Sequence, residues 1–199
     1  MMLIVEQYMI PIIENSVTPM RELRWFELLE RVLKLSIPTL YVWLCIFYSF
    51  FHCWLNIVAE VTRFGDRQFY RDWWNATTIA DYWKLWNIPV HKWLARHIYF
   101  PVLHAGLGKG AAQLVTFTFS AVLHEVLVGV PCHMFRLWAF LGIMGQIPLV
   151  TLTNWTSKKL KNDQAGNLVF WVSFCIFGQP LSLLLYYFDY QILHKQAGA

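Results

Sequence analysis

Ala111-Ala112-Gln113-Leu114-Val115-Thr116-Phe117-Thr118-Phe119-Ser120-Ala121-Val122-Leu123-His124-Glu125-Val126-Leu127-Val128-Gly129-Val130 is a run without lysine, arginine or aspartate. It has the length of about 20 residues that a helix needs to cross the hydrocarbon of a bilayer. Two ionisable groups stand side by side within it, His124 and Glu125. A charged group at mid-span costs at least a few kcal/mol, roughly, and is normally found facing a bundle interior or a cavity. Counted from Gly110 at 1.5 Å per residue, His124 lies roughly 20 Å along the helix. Ser120 and His124, four apart, share a face with Leu127 and Val128, whereas Glu125 is turned about 100° away. The pair therefore reads as two separate groups: one faces a chamber, and the other accepts hydrogen bonds from a neighbouring helix.

The whole chain has the same character. Of its 199 residues 57% are hydrophobic, 18% aromatic and only 14% charged, which excludes an ordinary water-soluble domain. Further spans are expected from Pro38 to Val61, Phe135 to Asn154 and Leu168 to Leu193, with a possible truncated span at Met1 to Ile13 and an interruption at Gly178-Gln179-Pro180. Between Arg21 and Lys34 apolar residues recur at helical spacing with charges opposite, as in an amphipathic surface helix, and Pro38 is expected to open the first long span. The four cysteines lie in or beside apolar segments without metal-ligand spacing, and read as buried free thiols.

Charge is uneven. Between Thr62 and Gly110 seven lysines and arginines stand against three aspartates, and the segment Trp155 to Asn167 carries Lys158, Lys159 and Lys161. The positive-inside rule places both segments in the cytosol. Five of the eleven tryptophans (Trp73, Trp74, Trp83, Trp86 and Trp93) fall in the first of these. Such rings suit the headgroup level, and with interleaved Lys and Arg they also suit a polyanionic co-substrate. A nucleic-acid surface shares this composition, but its place between membrane spans speaks against that partner.

For His124 three chemistries compete. A structural imidazole bonded to a neighbouring helix is the plain alternative. A metal site lacks support, because Val128 stands where His-Glu-x-x-His needs its second histidine. A general base remains, for which a neutral imidazole near pH 7 is suited. Asn87, His91, Gln146 and Gln179 are further polar side chains in apolar surroundings, and buried amides need partners. No Gly-x-Ser-x-Gly elbow and no phosphate loop ending in Gly-Lys-Ser/Thr is present.

Phe69-Tyr70-Arg71-Asp72-Trp73-Trp74-Asn75 resembles the tryptophan-rich signature of the membrane-bound O-acyltransferase family, in the branch that uses acyl-CoA with diacylglycerol or sterol acceptors. Asn87-Ile88-Pro89-Val90-His91-Lys92-Trp93 and Ser120-Ala121-Val122-Leu123-His124-Glu125 follow in that branch's order. Met134-Phe135-Arg136-Leu137-Trp138-Ala139-Phe140 and Gln146-Ile147-Pro148-Leu149 are similar to its diacylglycerol-using members. The likeness runs over essentially the whole chain but corresponds to the C-terminal part of a family member. The chain thus reads as a fragment or truncated form, of low activity by itself.

The resemblance implies an all-α polytopic transmembrane helix bundle, with residues 1–199 forming the C-terminal portion of a single domain and the 62–110 segment binding acyl-CoA. It implies His124 as the catalytic histidine, assisted by Asn87. Phe69, Tyr70, Asp72, Trp73, Trp74 and Asn75 would contribute to acyl-CoA binding, together with Trp86, His91, Tyr99 and Lys109. Ser120, Glu125, Gln146 and Gln179 would line the chamber. It further implies acyl-CoA as co-substrate with no permanently bound cofactor or metal, diacylglycerol as acceptor, contact with membrane lipids, a homo-oligomeric complete protein and an endoplasmic reticulum location. The alternatives are a sterol acceptor, an inactive truncated subunit, or a non-enzymatic helix bundle relaying protons.

Overall fold

The computed structural model describes residues 1–160 and 163–197, and Lys161 lies outside them. Among the described residues the fold is all-α, without strands. They gather in two compact units, one made by residues 1–54 with those after 171, the other by those from 55 to 171. Three stretches are helical, long and apolar enough to cross a membrane: Trp25–Val61, Lys109–Cys132 and Gln164–Leu193. Leu114, Leu123 and Leu127 stand outward from the second of these, as lipid-facing residues do.

In the first unit short helical pieces over residues 2–21 lead through a turn, with Leu23 left-handed at φ 53°, into helix α1 (Trp25–Phe47). The expected break at Pro38 does not occur: α1 runs through it, so the amphipathic segment and the first span are one helix. Proline in a helix interior forfeits one backbone hydrogen bond, which apolar helices tolerate when neighbouring groups compensate. Leu35 and Val32 of α1 pack with Met9, Ile13 and Leu184 into a core where Leu35 is fully buried. The expected interruption at Gly178 is instead a π-helical turn, Ser173–Gly178, that feeds directly into the last helix, Gln179–Ala197. All four cysteines are free, but Cys45, Cys53 and Cys132 lie on the surface rather than buried, since the faces that carry them have no protein packed against them.

The second unit holds the region of interest. Irregular chain from residue 64 to 72 precedes helices α2 (Ile79–Trp86) and α3 (Ile88–Leu94), joined at Asn87. Thr78 caps α2, its hydroxyl accepting from Asp81 N–H at 3.1 Å. Asn87 caps α3, its Oδ1 accepting from Val90 N–H at 3.3 Å, and Pro89 stands where a first helical turn tolerates proline. Helical turns continue to His104, so more than half of the 62–110 segment, expected to be a loop, is helical. Next come α4 (Lys109–Cys132), α5 (Trp138–Met144), α6 (Gln146–Leu160) and α7 (Asp163–Val172). The stretch Phe135–Asn154, expected to be one span, is thus two helices joined at Gly145. Pro148 has no N–H for the carbonyl four residues back, on Met144, and hydropathy cannot register that defect.

Candidate functional site

Helix α4 has two working faces. Ala112, Ala121, Glu125 and Gly129 form a buried stripe. The adjacent stripe, Gln113, Thr116, Phe117, Ser120 and His124, lines a cavity of about 450 Å³ inside the second unit. The opposing wall comes from α2, α3 and the turns after them, with Trp83, Trp86, Asn87, His91 and Tyr99.

His124 is fixed by its own helix. Its Nδ1 lies 2.7 Å from the carbonyl oxygen of Ser120, with the Ser120 hydroxyl 3.5 Å away. A carbonyl oxygen can only accept, so Nδ1 carries the proton of the neutral ring and Nε2 keeps its lone pair. The indole of Trp83 meets the imidazole edge to face, with centroids 6.5 Å apart and planes at 89°. The ring is therefore held in one tautomer and braced from the side.

Asn87 sits at the corner between α2 and α3, with φ −143° and ψ 83°. Its oxygen is committed to the cap, which leaves its amide N–H groups as donors on the cavity wall. His91, one turn on, is half-buried. Loss of hydration holds its pKa below the ordinary value of 6.5, and the nearby charge of Lys84 adds to the effect, so the ring is neutral at pH 7.

Glu125 does not line the cavity. Its carboxylate is buried and reaches the start of α5, where Oε1 accepts from Arg136 N–H at 3.0 Å and Leu137 N–H at 2.9 Å, and Oε2 from Phe140 N–H at 3.2 Å. These are amides that a helix start leaves without partners. The same bonds secure Leu137 at φ 62°, a left-handed conformation unfavourable for leucine.

The aromatic signature stands behind the cavity wall. None of Phe69, Tyr70, Asp72, Trp73, Trp74 and Asn75 reaches the cavity among the described residues. Trp73 is 1% exposed and packs edge-on against Trp86 at 5.8 Å and Tyr82 at 6.1 Å. Backbone bonds tie the segment to the α2–α3 corner: Arg71 N–H donates to Leu85 O at 2.9 Å, and Ile88 N–H to Phe69 O at 3.0 Å. On the far side Asn167 Nδ2 donates to the carbonyls of Trp74 and Ala76, both at 2.9 Å, and Trp171 Nε1 donates to Trp74 O at 3.1 Å. The segment acts as a clamp that sets where Trp86 and Asn87 stand.

Of the residues singled out in the sequence, the structure brings Trp86, Asn87, His91, Tyr99, Ser120 and His124 to one cavity. Lys109 opens α4 away from it. Gln146 starts α6, its Nε2 donating weakly to Gly142 O at 3.5 Å. Gln179 starts the last helix of the first unit. Sequence reasoning passed over Trp83, Lys84, Gln113, Thr116 and Phe117 as cavity residues. Helical spacing was the available signal: Trp83 and Lys84 precede Asn87 by four and three residues, and Thr116 and Phe117 stand likewise before Ser120.

A half-buried imidazole, its Nδ1 against a carbonyl of its own helix, thus stands in an aromatic-walled chamber of an apolar all-α membrane protein. The membrane-bound O-acyltransferase (MBOAT) family matches residues 1–188, and the chain belongs to that family. It is 60% identical over 186 residues to diacylglycerol O-acyltransferase 1C of Glycine max, an alignment covering 94% of this chain and 36% of that protein. Diacylglycerol O-acyltransferase 1 of Arabidopsis thaliana is 56% identical over 186 residues, 94% of this chain and 35% of its own length. The Bos taurus protein of that name is 46% identical over 196 residues, 98% of this chain and 39% of its own length. The chain thus spans rather more than a third of these curated relatives.

Proposed function

We propose that the chain carries the acyl-transfer centre of an acyl-CoA:diacylglycerol O-acyltransferase that forms triacylglycerol in the endoplasmic reticulum membrane. The observation that supports this reading is the Nδ1 contact of His124 with the Ser120 carbonyl, which leaves the lone pair on Nε2 of a ring that lines the cavity. In the proposed step Nε2 takes the proton from the free hydroxyl of diacylglycerol as its oxygen attacks the thioester carbonyl of acyl-CoA. The tetrahedral intermediate collapses with cleavage of the C–S bond, and the coenzyme A thiolate leaves and recovers the proton from the imidazolium. The amide N–H groups of Asn87 are available to the developing oxyanion, a type of contact worth about 3 kcal/mol. The apolar walls keep water from the thioester.

Identity to proteins named for diacylglycerol supports that acceptor over a sterol. The test supplies labelled oleoyl-CoA with diacylglycerol or with cholesterol to the full chain in lipid nanodiscs. Labelled triacylglycerol is the expected product. Cholesteryl ester alone overturns the acceptor, and no ester from either overturns the enzymatic reading.

A further inference from the structure

Lys84 is the sole lysine or arginine on the cavity wall among the described residues, and no aspartate or glutamate shares that wall with it. The other groups around it are aromatic or aliphatic, such as Trp83, Leu94 and Phe117, polar ones such as Asn87 and Gln113, and the imidazoles of His91 and His124. The lysine is weakly engaged. Its Nζ lies 3.5 Å from Asp81 Oδ1 in a pair with both side chains well exposed, an arrangement that water screens. Asp81 is itself drawn to the helix cap, its Oδ2 accepting from the Thr78 hydroxyl at 2.7 Å. Lys84 directly follows Trp83, which braces His124, so the cation and the base belong to the same chamber wall.

A single loosely paired lysine in a chamber whose wall holds no arginine and no carboxylate among the described residues is a half-built anion site. The two substrates of the proposed reaction differ in this respect: diacylglycerol is neutral, whereas a coenzyme A thioester carries phosphate esters. We infer that Lys84 is the residue that recognises a phosphate of the acyl donor, giving the chamber its selectivity for a phosphorylated carrier over an uncharged thioester. This rests on the acyl-transfer reading for the identity of the donor. Lysine suits the task as a point charge on a flexible stem, able to leave Asp81 for a phosphate oxygen.

The test reads binding, so it does not depend on turnover. Desulfo-coenzyme A, dephospho-coenzyme A and pantetheine are titrated into the full chain in phosphatidylcholine nanodiscs, for wild type, Lys84→Met and Lys84→Arg. Lys84→Met should weaken desulfo-coenzyme A about tenfold, as loss of one charge-assisted contact does, while Lys84→Arg stays close to wild type. Pantetheine, which has no phosphate, should bind all three alike. A Lys84→Met loss that persists with dephospho-coenzyme A assigns the contact to the pyrophosphate, and a loss confined to the complete nucleotide assigns it to the 3′-phosphate. Equal binding of desulfo-coenzyme A by wild type and Lys84→Met, a parallel loss for pantetheine, or no binding by wild type overturns the inference. Failure of acyl transfer with these differences intact would instead count against the reaction alone.

Discussion

Glu125 and His124 are adjacent, yet each acts on a different partner because a helix turns about 100° between them. Their separate roles were legible from spacing alone. What Glu125 holds was not, because the backbone donors of Arg136, Leu137 and Phe140 lie 11 to 15 residues further along, past a turn that no periodicity marks. Glu125→Ala takes the acceptor from those N–H groups, and at about 1 kcal/mol for each part-buried hydrogen bond lost, the expected loss is about 3 kcal/mol. Glu125→Gln keeps an acceptor oxygen and should lose less. Thermal unfolding in nanodiscs checks the order, and equal midpoints for the two variants would contradict it. His91 offers a pH test. Its depressed pKa means that, from about 6.5 downwards, the unfolded chain binds a proton that the folded chain resists. Its contribution to stability is therefore present above that value and lost as pH falls toward the folded pKa. His91→Gln should show a smaller drop in melting temperature between pH 7 and pH 5.5 than wild type, and an unchanged drop would rule out this residue as a source of acid sensitivity.

Among the elements, the helix carrying His124 was readable because length, hydropathy and cavity-face periodicity agreed on it. Continuity of helices was not. α1 runs through Pro38 and a π-helical turn carries the chain past Gly178, whereas the stretch after Phe135 divides at Gly145 despite suitable hydropathy. These outcomes depend on how individual backbone groups are satisfied, which composition averages away. The aromatic signature shows a similar gap. Its residue types suit a ligand platform, but the fold spends Trp73 on packing and the surrounding carbonyls on α7. The clamp leaves no room at Gly166, where a Cβ would stand 2.5 Å from the backbone oxygen of Thr77. Helix propensity alone would make Gly166→Ala stabilising by about 1 kcal/mol. The clash should outweigh this, since overpacking against backbone costs about 1–3 kcal/mol. A lower melting temperature is therefore expected, together with weaker ligand binding as the α2–α3 corner shifts. A higher melting temperature would show that the contact is not tight.

For the molecule as a whole, membrane character and the candidate chamber rest on the same fact: ionisable and amide groups are sparse in its apolar segments, and several of them converge. Asn87, His91, Ser120 and His124 were each visible as polar residues in apolar surroundings, and they meet in one chamber. Lys84 was hidden among the other cations of a basic segment, where sequence gives no means of telling which one faces inward. Gln146 and Gln179 stood out by the same polar-in-apolar signal, yet neither belongs to that wall. The most direct measurement compares His124→Ala with wild type for triacylglycerol formed from labelled oleoyl-CoA and diacylglycerol, at equal amounts of folded protein in nanodiscs. Loss of a general base predicts a fall of about 10²–10⁴-fold with little change in melting temperature. Synthesis at the wild-type rate by folded His124→Ala would contradict the assignment of the base.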